Sequence, residues 1–514
     1  MLDNAQSGTV DSILQIGINH HNSGQPSRAK GYYQQVLDIE SRHPDGNNLY
    51  ARVLILEGDY ETALSHVEKA LEKKPLEAMY WRTKAEILKN LNRPKEAADA
   101  FWRGQDYHNA MNEINAAFAA AEPDDMAYIV KSRVHQDLGQ SREAEACLLK
   151  AQELSDACLN PYPDDRPDPP IHRPLKVNEE RRIGQPNIQT HGFTYVIDIV
   201  GTCNLRCPSC PVGNTPRDQR EIGFMDVKMY ERILEKIGAQ GHEKKPEIWL
   251  FNWGEPLIHP EIGKIVRMTK KNGYHVFLSS NLNVDHGLRD AIREHPDQLK
   301  ISLSGFNQEV YRQTHSKGNI DRVKGNMYLL KYYLEKYRAP TWIWVSFHMY
   351  RHNMADYQLM EAFTKELGFT FNPITAFYQP LEKLVSLFEG KTPNDQKKVL
   401  DLLIQHPLDH KLTKMPFYRK AQDCELRYNM ISINYNGVVD LCCSTFNDEN
   451  TIGVNYLDAD FDEIQRRKYE HPFCVTCYKH GLNYQALPAE GNKVLNNDQT
   501  HMVNNVLAAL NSRR

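Results

Sequence analysis

No stretch of this chain approaches the run of about 18 apolar residues that a membrane helix needs. The mean hydropathy is −0.61. The opening MLDNAQSGTVDS has no basic segment followed by an apolar one, so no secretory leader is visible and a cytoplasmic location is expected. An excess of one charge is lacking too. Lys and Arg number 62 against 66 Asp and Glu, a net charge of −4. Bulk attraction to phosphate is therefore excluded as a driver, and neither a nucleic-acid nor a membrane partner is expected. Cysteine is absent from 211 to 423 and again after Cys477.

The chain has 514 residues, enough for about three domains. Apolar residues make up 41% and charged residues 25%, an ordinary globular balance. The ten cysteines fall into groups: Cys147 and Cys158, then Cys203, Cys207 and Cys210, then five from Cys424 to Cys477. A disulfide scaffold would spread them through a small fold. Two tight groups in a reducing compartment read better as thiolate ligands of two metal centres.

The first third repeats. Ala29, Ala63 and Ala97 are spaced by 34 residues, as are Gly24, Gly58 and Asn92, and Gly17, Ala51 and Ala85. Small residues at fixed offsets let paired helices approach closely. This period resembles the tetratricopeptide repeat (TPR), with Tyr33 and Phe101 four residues after their alanines, Pro75 ending a helix and Trp81 opening a repeat. Gly139, Ala144 and Ala151 continue the pattern after an insertion of about 13 residues around 105–121. The resemblance implies a helical solenoid over 1–158 whose concave face suits a protein or peptide partner. Cys147 and Cys158 read as small packing residues. Residues 159–192 hold seven prolines, from Pro161 to Pro186, and read as a linker.

FTYVIDIV (193–200) is a short β-branched run, hence a buried strand, and it feeds directly into GTCNLRCPSCP. Cys203, Cys207 and Cys210 form Cys-x3-Cys-x2-Cys in the loop after it. Alone, this spacing also fits zinc or an electron-transfer site. Three thiolates can hold three irons of a [4Fe-4S] cube and leave the fourth open, which is wasteful for electron transfer but useful for coordinating a small molecule. Downstream, strands are predicted near 247–252, 275–280, 299–304, 341–349 and 369–374, with helices near 226–238, 258–272, 320–337 and 354–367.

A triad of cysteines after a first strand, followed by alternating strands and helices, resembles the radical S-adenosylmethionine (radical SAM) superfamily over 193–400. NWGEP (252–256) stands where that family has Gly-Gly-Glu-Pro, with Trp253 replacing the first glycine. GFMD (223–226), LSSN (278–281) and ISLSG (301–305) also match. The resemblance implies a partial (β/α)6 barrel with its site at the carboxyl ends of the strands. It further implies a [4Fe-4S] cluster on Cys203, Cys207 and Cys210, and S-adenosylmethionine held by Gly254, Glu255, Pro256, Ser280, Asn281, Ser302, Ser304 and Arg312. Reductive cleavage of that cofactor would give a 5′-deoxyadenosyl radical that abstracts a substrate hydrogen. A flavodoxin- or ferredoxin-type electron donor would feed the site.

From Cys424 the chain alternates apolar and polar residues around Asn436-Gly437, a β-hairpin signal that brings Cys424 and Cys442 together. Cys474 and Cys477 follow as Cys-x2-Cys. This pattern resembles the start of the SPASM auxiliary-cluster domain, shortened because no cysteine follows Cys477, and spans 415–485. It implies a second [4Fe-4S] cluster on Cys424, Cys442, Cys474 and Cys477; a four-cysteine zinc site is the other reading. Adjacent strand residues face opposite ways, so one of Cys442 and Cys443 is left out, and the Gly-x4-Cys spacing favours Cys442 as the ligand. Residues 486–514 read as a tail.

The expected architecture is thus a multidomain α and α/β protein: a TPR-like α-solenoid, a partial (β/α)6 barrel and a small cluster-binding domain. The function implied is an oxidoreductase-like radical SAM enzyme that oxidises or epimerises a sugar- or cyclitol-type metabolite. Two alternatives stand beside it: a peptide- or protein-modifying maturase whose repeats dock the substrate, and a TPR scaffold with structural iron-sulfur domains and no catalysis. His348, Tyr350, Tyr378 and Asp440 are given no role.

Overall fold

A computed structural model of the chain describes residues 2–158, 193–214, 223–242, 244–391, 396–409, 424–482 and 501–508. The linker expected at 159–192 and most of the tail lie outside them. The chain divides into two compact units, Met1–Asn160 with Val494–Arg514, and Pro161–Lys493. Among the described residues no helix is long and apolar enough to cross a membrane.

Among the described residues up to Cys158, the first unit has nine helices: α1 (Leu2–Asn22), α2 (Pro26–Ile39), α3 (Pro44–Glu57), α4 (Tyr60–Lys73), α5 (Ala78–Asn90), α6 (Pro94–Arg103), α7 (Tyr107–Ala120), α8 (Asp125–Asp137) and α9 (Ser141–Cys158). Each of the three 34-residue spacings has its own physical cause. Ala29, Ala63 and Ala97 are wholly buried where paired helices touch. Gly17 faces Tyr33 so closely that a Cβ would lie 2.6 Å from the ring. Gly24, Gly58 and Asn92 take positive φ (70°, 79° and 55°) in the turns between paired helices, where glycine costs least. The insertion is helix α7, set between α6 and the last pair.

The segment 501–508 is helical and packs on this same array. Asn505 Nδ2 donates to the Trp102 carbonyl at 3.3 Å and to Asp137 Oδ2 at 3.2 Å. The Tyr107 hydroxyl donates to the Asn505 carbonyl at 3.3 Å, and His501 meets the Trp81 ring edge-on at 5.5 Å. Met502 and Val506 are buried there. Residues 501–508 of the expected tail are thus part of the repeat unit's core.

The second unit is organised by one nine-stranded sheet in the order β6-β5-β4-β3-β2-β1-β7-β8-β9. The strands are β1 (Thr194–Ile197), β2 (Glu247–Trp249), β3 (His275–Ser280), β4 (Gln298–Leu303), β5 (Trp342–Met349), β6 (Thr370–Thr375), β7 (Met430–Ile433), β8 (Val438–Asp440) and β9 (Thr451–Asn455). The first six are parallel and adjacent in sequence order, as a partial (β/α)6 barrel requires. Helices Val227–Ala239, Ile262–Lys271, Ile320–Tyr337 and Met354–Glu366 fill the crossovers. On β4, Leu299, Ile301 and Leu303 are fully buried, whereas Gln298, Lys300 and Ser302 alternate onto a half-buried face.

The hairpin of the second cysteine group is not a detached module. Strand β7 pairs in parallel with β1, from Thr194↔Met430 to Ile197↔Ile433, so the barrel sheet runs on into it. Strand β8 returns antiparallel, and Gly437 takes φ 85° at the turn. The predicted strand at 247–252 ends earlier, at Trp249, because the chain leaves the ladder to build the turn that follows.

Candidate functional site

The three-cysteine loop begins as β1 ends. Asp198, the one charge in the apolar run 193–200, anchors the next turn. Its Oδ2 accepts the Trp253 N–H at 3.0 Å, and its carboxylate accepts the Gly254 N–H at 3.3 Å. The Glu255 N–H donates to the Thr202 carbonyl at 3.0 Å, binding this turn to the cysteine loop. Position 254 must be glycine, since a Cβ there would lie 1.8 Å from the Val200 carbonyl oxygen.

Glu255 is buried and its carboxylate accepts the Leu257 N–H at 3.1 Å and the Asn281 N–H at 2.8 Å, joining the ends of β2 and β3. Burial lifts its carboxyl to about 7 against those hydrogen bonds. Asn281 in turn reaches back to the loop, with Nδ2 3.6 Å from Cys203 Sγ and 2.9 Å from Asn204 Oδ1. Burial first, then the Glu255 charge, pushes the Cys203 thiol up to about 12. Cys207 is pushed well up by burial and then by Cys210 and Cys203. Three thiols are thus gathered within mutual electrostatic reach, an arrangement unfavourable for bare thiolates and suited to a cationic iron cluster.

The expected S-adenosylmethionine contacts divide. Gly254, Glu255, Pro256 and Asn281 adjoin the loop. The Ser280 hydroxyl accepts the Leu282 N–H at 2.9 Å, and the Ser302 hydroxyl lies 3.3 Å from that of Ser279 on the half-buried face. Ser304 is turned away and buried, bonded to Thr314 and, at 2.8 Å, to His315 Nδ1. Arg312 is exposed on the helix Gln308–Thr314, whose inward positions are taken by Tyr311 and Thr314. The structure adds residues that the motifs did not name. Tyr311 stacks on His315 at 4.5 Å, accepts a hydrogen bond from Asn283 Nδ2 at 2.8 Å, and feels the charges of Cys207, Glu255 and Cys203. Tyr350 feels Cys207 and is pushed up to about 12 by burial. Asp198 had a visible signal, a lone carboxylate in an apolar strand; Asn204, Asn283 and Tyr311 had none.

Cys424, Cys442, Cys474 and Cys477 line one cavity, walled by Leu381, Leu426, Leu441, Phe473, Tyr478 and Leu482. Cys474 and Cys477 are three apart on the helix Pro472–Lys479, so they share a face. Cys443 does not line the cavity; its Sγ lies 4.0 Å from the Ser444 hydroxyl.

Two cations attend the cavity. Lys468 is fully buried, donates to the Leu426 carbonyl at 3.0 Å and the Met430 carbonyl at 2.5 Å, and is pushed down to about 8 by burial, against the pull of Cys442, Cys474, Cys424 and Cys443. Arg427 lies 4.0 Å over the Tyr469 ring and 4.9 Å from that of Tyr478, within reach of Cys477. Burying two positive charges beside four thiols is costly unless the thiols carry negative charge. The donor set therefore fits a thiolate-ligated cluster.

Trp253, the departure from the glycine pattern, faces this second region. Its indole N–H donates to the Thr445 carbonyl at 2.9 Å and its ring meets Phe446 edge-on at 5.8 Å.

Residues 197–340 match the family model of the radical SAM superfamily, and residues 21–87 and 127–158 match tetratricopeptide repeat models. The chain carries a radical SAM domain preceded by tetratricopeptide repeats. Among curated proteins it is 30% identical over 117 residues to a tungsten-containing aldehyde ferredoxin oxidoreductase cofactor-modifying protein of Pyrococcus furiosus, covering 22% of this chain and 30% of that protein. It is 24% identical over 130 residues to a GTP 3′,8-cyclase of Chlorobaculum tepidum, covering 25% and 37%. These matches span about a third of the relatives' length. Among solved structures, Streptococcus suis SuiB bound to S-adenosylmethionine aligns over 68% of this chain and 83% of that one, at 15% identity and a TM-score of 0.37. A likeness at that score says nothing of activity. The superfamily implies a [4Fe-4S] cluster and S-adenosylmethionine.

Proposed function

We propose that the protein is a radical SAM enzyme with two iron-sulfur clusters that oxidises or epimerises a small sugar- or cyclitol-type metabolite. When bound, a four-iron cluster on Cys203, Cys207 and Cys210 would supply the electron that cleaves S-adenosylmethionine and so opens hydrogen abstraction. The observation that carries the reading is the closed set of bonds from the cysteine loop through Asn281 and Glu255 to the Gly254 turn.

This chain's residues divide the work. Asp198 fixes the 253–254 backbone, leaving that turn's carbonyls as acceptors for the cofactor's ammonium group. Glu255 holds the ends of β2 and β3 in register. Asn281 positions its amide against Cys203. Tyr311 and Tyr350 wall the loop with rings. Cys424, Cys442, Cys474 and Cys477 would hold the second cluster; four thiolates leave no open iron, which suits electron transfer during oxidation or epimerisation. The place of Cys442 on the cavity wall, with Cys443 off it, supports that set. Trp253 does not weaken the reading, because its indole has a packing partner while the Gly254 backbone keeps its anchor. The tetratricopeptide array favours a second reading, a peptide or protein substrate docked by the repeats.

The test is 5′-deoxyadenosine formation by anaerobically reconstituted protein given S-adenosylmethionine and a reductant. Product, about eight irons per chain, and loss of product in Cys207→Ala with about four irons retained are expected. No product from fully loaded protein would sink the proposal, and about four irons with one zinc would sink the second cluster.

A further inference from the structure

Lys300 sits in the middle of β4, on the half-buried face that also carries Ser302 two residues on. Its ammonium lies over three aromatic rings, 4.7 Å from Phe251, 5.7 Å from Phe277 and 5.8 Å from Trp344. Among the described residues no carboxylate pairs with it and no oxygen accepts from it. Its charge is felt by His348 on β5, and among the described residues the Cys443 thiol is the acidic group within its electrostatic reach.

Rings alone do not compensate such a charge. Cation–π contact offsets about 0.5–2 kcal/mol, less than the cost of withdrawing an ammonium from water. A second observation points the same way. The indole N–H groups of Trp249 and Trp344, in the same aromatic cluster, are buried with no hydrogen-bond acceptor. Trp249 packs on Phe251 at 5.7 Å and on Phe277 at 5.3 Å, and Phe277 on Trp344 at 5.9 Å. One ammonium and two indole donors thus share an apolar cluster that contributes no acceptor of its own. Buried donors in folded proteins nearly always find partners. A partner that satisfied all three donors would be rich in acceptor oxygens and negatively charged.

We infer that the Lys300 cluster binds the anionic group of the substrate, a carboxylate or a phosphate, with the rings of Phe251, Phe277 and Trp344 against the ligand's apolar face. This rests on the proposed function, with the half-buried face of the sheet taken as the wall against which its substrate lies. His348 Nδ1 donates to the Leu303 carbonyl at 3.3 Å, which leaves Nε2 of a neutral ring as a further acceptor for a ligand hydroxyl. The geometry selects an anionic metabolite over a neutral one. The anion would sit about two residues below the Ser302 end of β4, leaving the rest of the molecule toward the cysteine loop.

The experiment is calorimetric titration of full-length reconstituted protein with glucose 6-phosphate, glucuronate and glucose. At least one anionic sugar is expected to bind about tenfold or more tightly than glucose, and which one tells phosphate from carboxylate. Lys300→Met should weaken that binding about tenfold or more, and Lys300→Arg should restore most of it. Equal affinity for glucose and both anions, no binding of either anion, or unchanged binding by Lys300→Met would overturn the inference. The anion preference is read on the unsubstituted protein, so it stands even where a variant fails to fold. 5′-Deoxyadenosine formation is measured on the same sample: its absence rejects the enzymatic reading, whereas the titration alone decides the anion site.

Discussion

At the scale of single residues, the departures from a motif carry as much information as the matches. Trp253 occupies a position where the superfamily's pattern has glycine, a departure that by itself favours the scaffold alternative with no catalysis. Its indole instead holds Thr445 and Phe446, so the large side chain is part of how this chain closes. Trp253→Gly, which restores the family pattern, should therefore destabilise the protein by roughly 2 kcal/mol, from a lost hydrogen bond and an emptied aromatic contact. Urea unfolding followed by circular dichroism checks this, and an unchanged or raised midpoint would show the indole to be dispensable. The gathering of Cys424, Cys442, Cys474 and Cys477 around one cavity was legible because their spacing is written locally. The glycine at 254 was legible as a motif, although its cause, the Val200 carbonyl, lies in another segment. Lys300 was not legible. It looks like one polar residue in an alternating strand, and its meaning depends on rings from β3, β5 and the segment after β2, brought together only by the sheet register.

At the scale of elements, periodicity told most where it was repeated. Three spacings of 34 residues predicted the helix pairs, and each proved to have a separate cause in packing or in a left-handed turn. The insertion was visible as a break in the count, but not as a helix, because a single amphipathic segment has no repeat to betray it. The helix at 501–508 was missed for a related reason. A short segment outside the 34-residue period looks like tail, and its stability comes from Asn505, Met502 and Val506 meeting distant helices. Ending the chain at residue 493 should expose buried surface on Trp102 and lower the melting temperature of the repeat unit by about 5 °C or more. A red shift of tryptophan emission should accompany it. A truncated protein that melts and fluoresces like the full chain would show that the helix adds nothing to the array.

At the scale of the whole molecule, the chain divides into two compact units, Met1–Asn160 with Val494–Arg514, and Pro161–Lys493. Within the second unit, strand β7 of the second cysteine group pairs with β1 of the barrel, so one sheet carries both cysteine groups. That pairing joins residues more than 200 apart, and no local signal encodes it. The consequence is energetic. Metal ligation stabilises whatever folds cooperatively with its ligands, by mass action on the native state. All seven proposed ligand cysteines lie in the unit Pro161–Lys493, and none lies in the repeat unit. Anaerobic calorimetry of the loaded protein should show two heat-absorption transitions, and the chain ended at residue 493 identifies the one belonging to the repeats by its shift. Removing iron with a chelator should lower the other transition by roughly 5 °C or more, as the loss of two thiolate-held clusters implies, and leave the repeat transition within about a degree. Because β1 and β7 are neighbours in one sheet, Cys474→Ala should lower that same transition as a single peak rather than split off a separate auxiliary one. A third transition appearing in that variant would mean that the hairpin folds independently of the barrel; a repeat transition that moves with iron would mean that the two units fold as one.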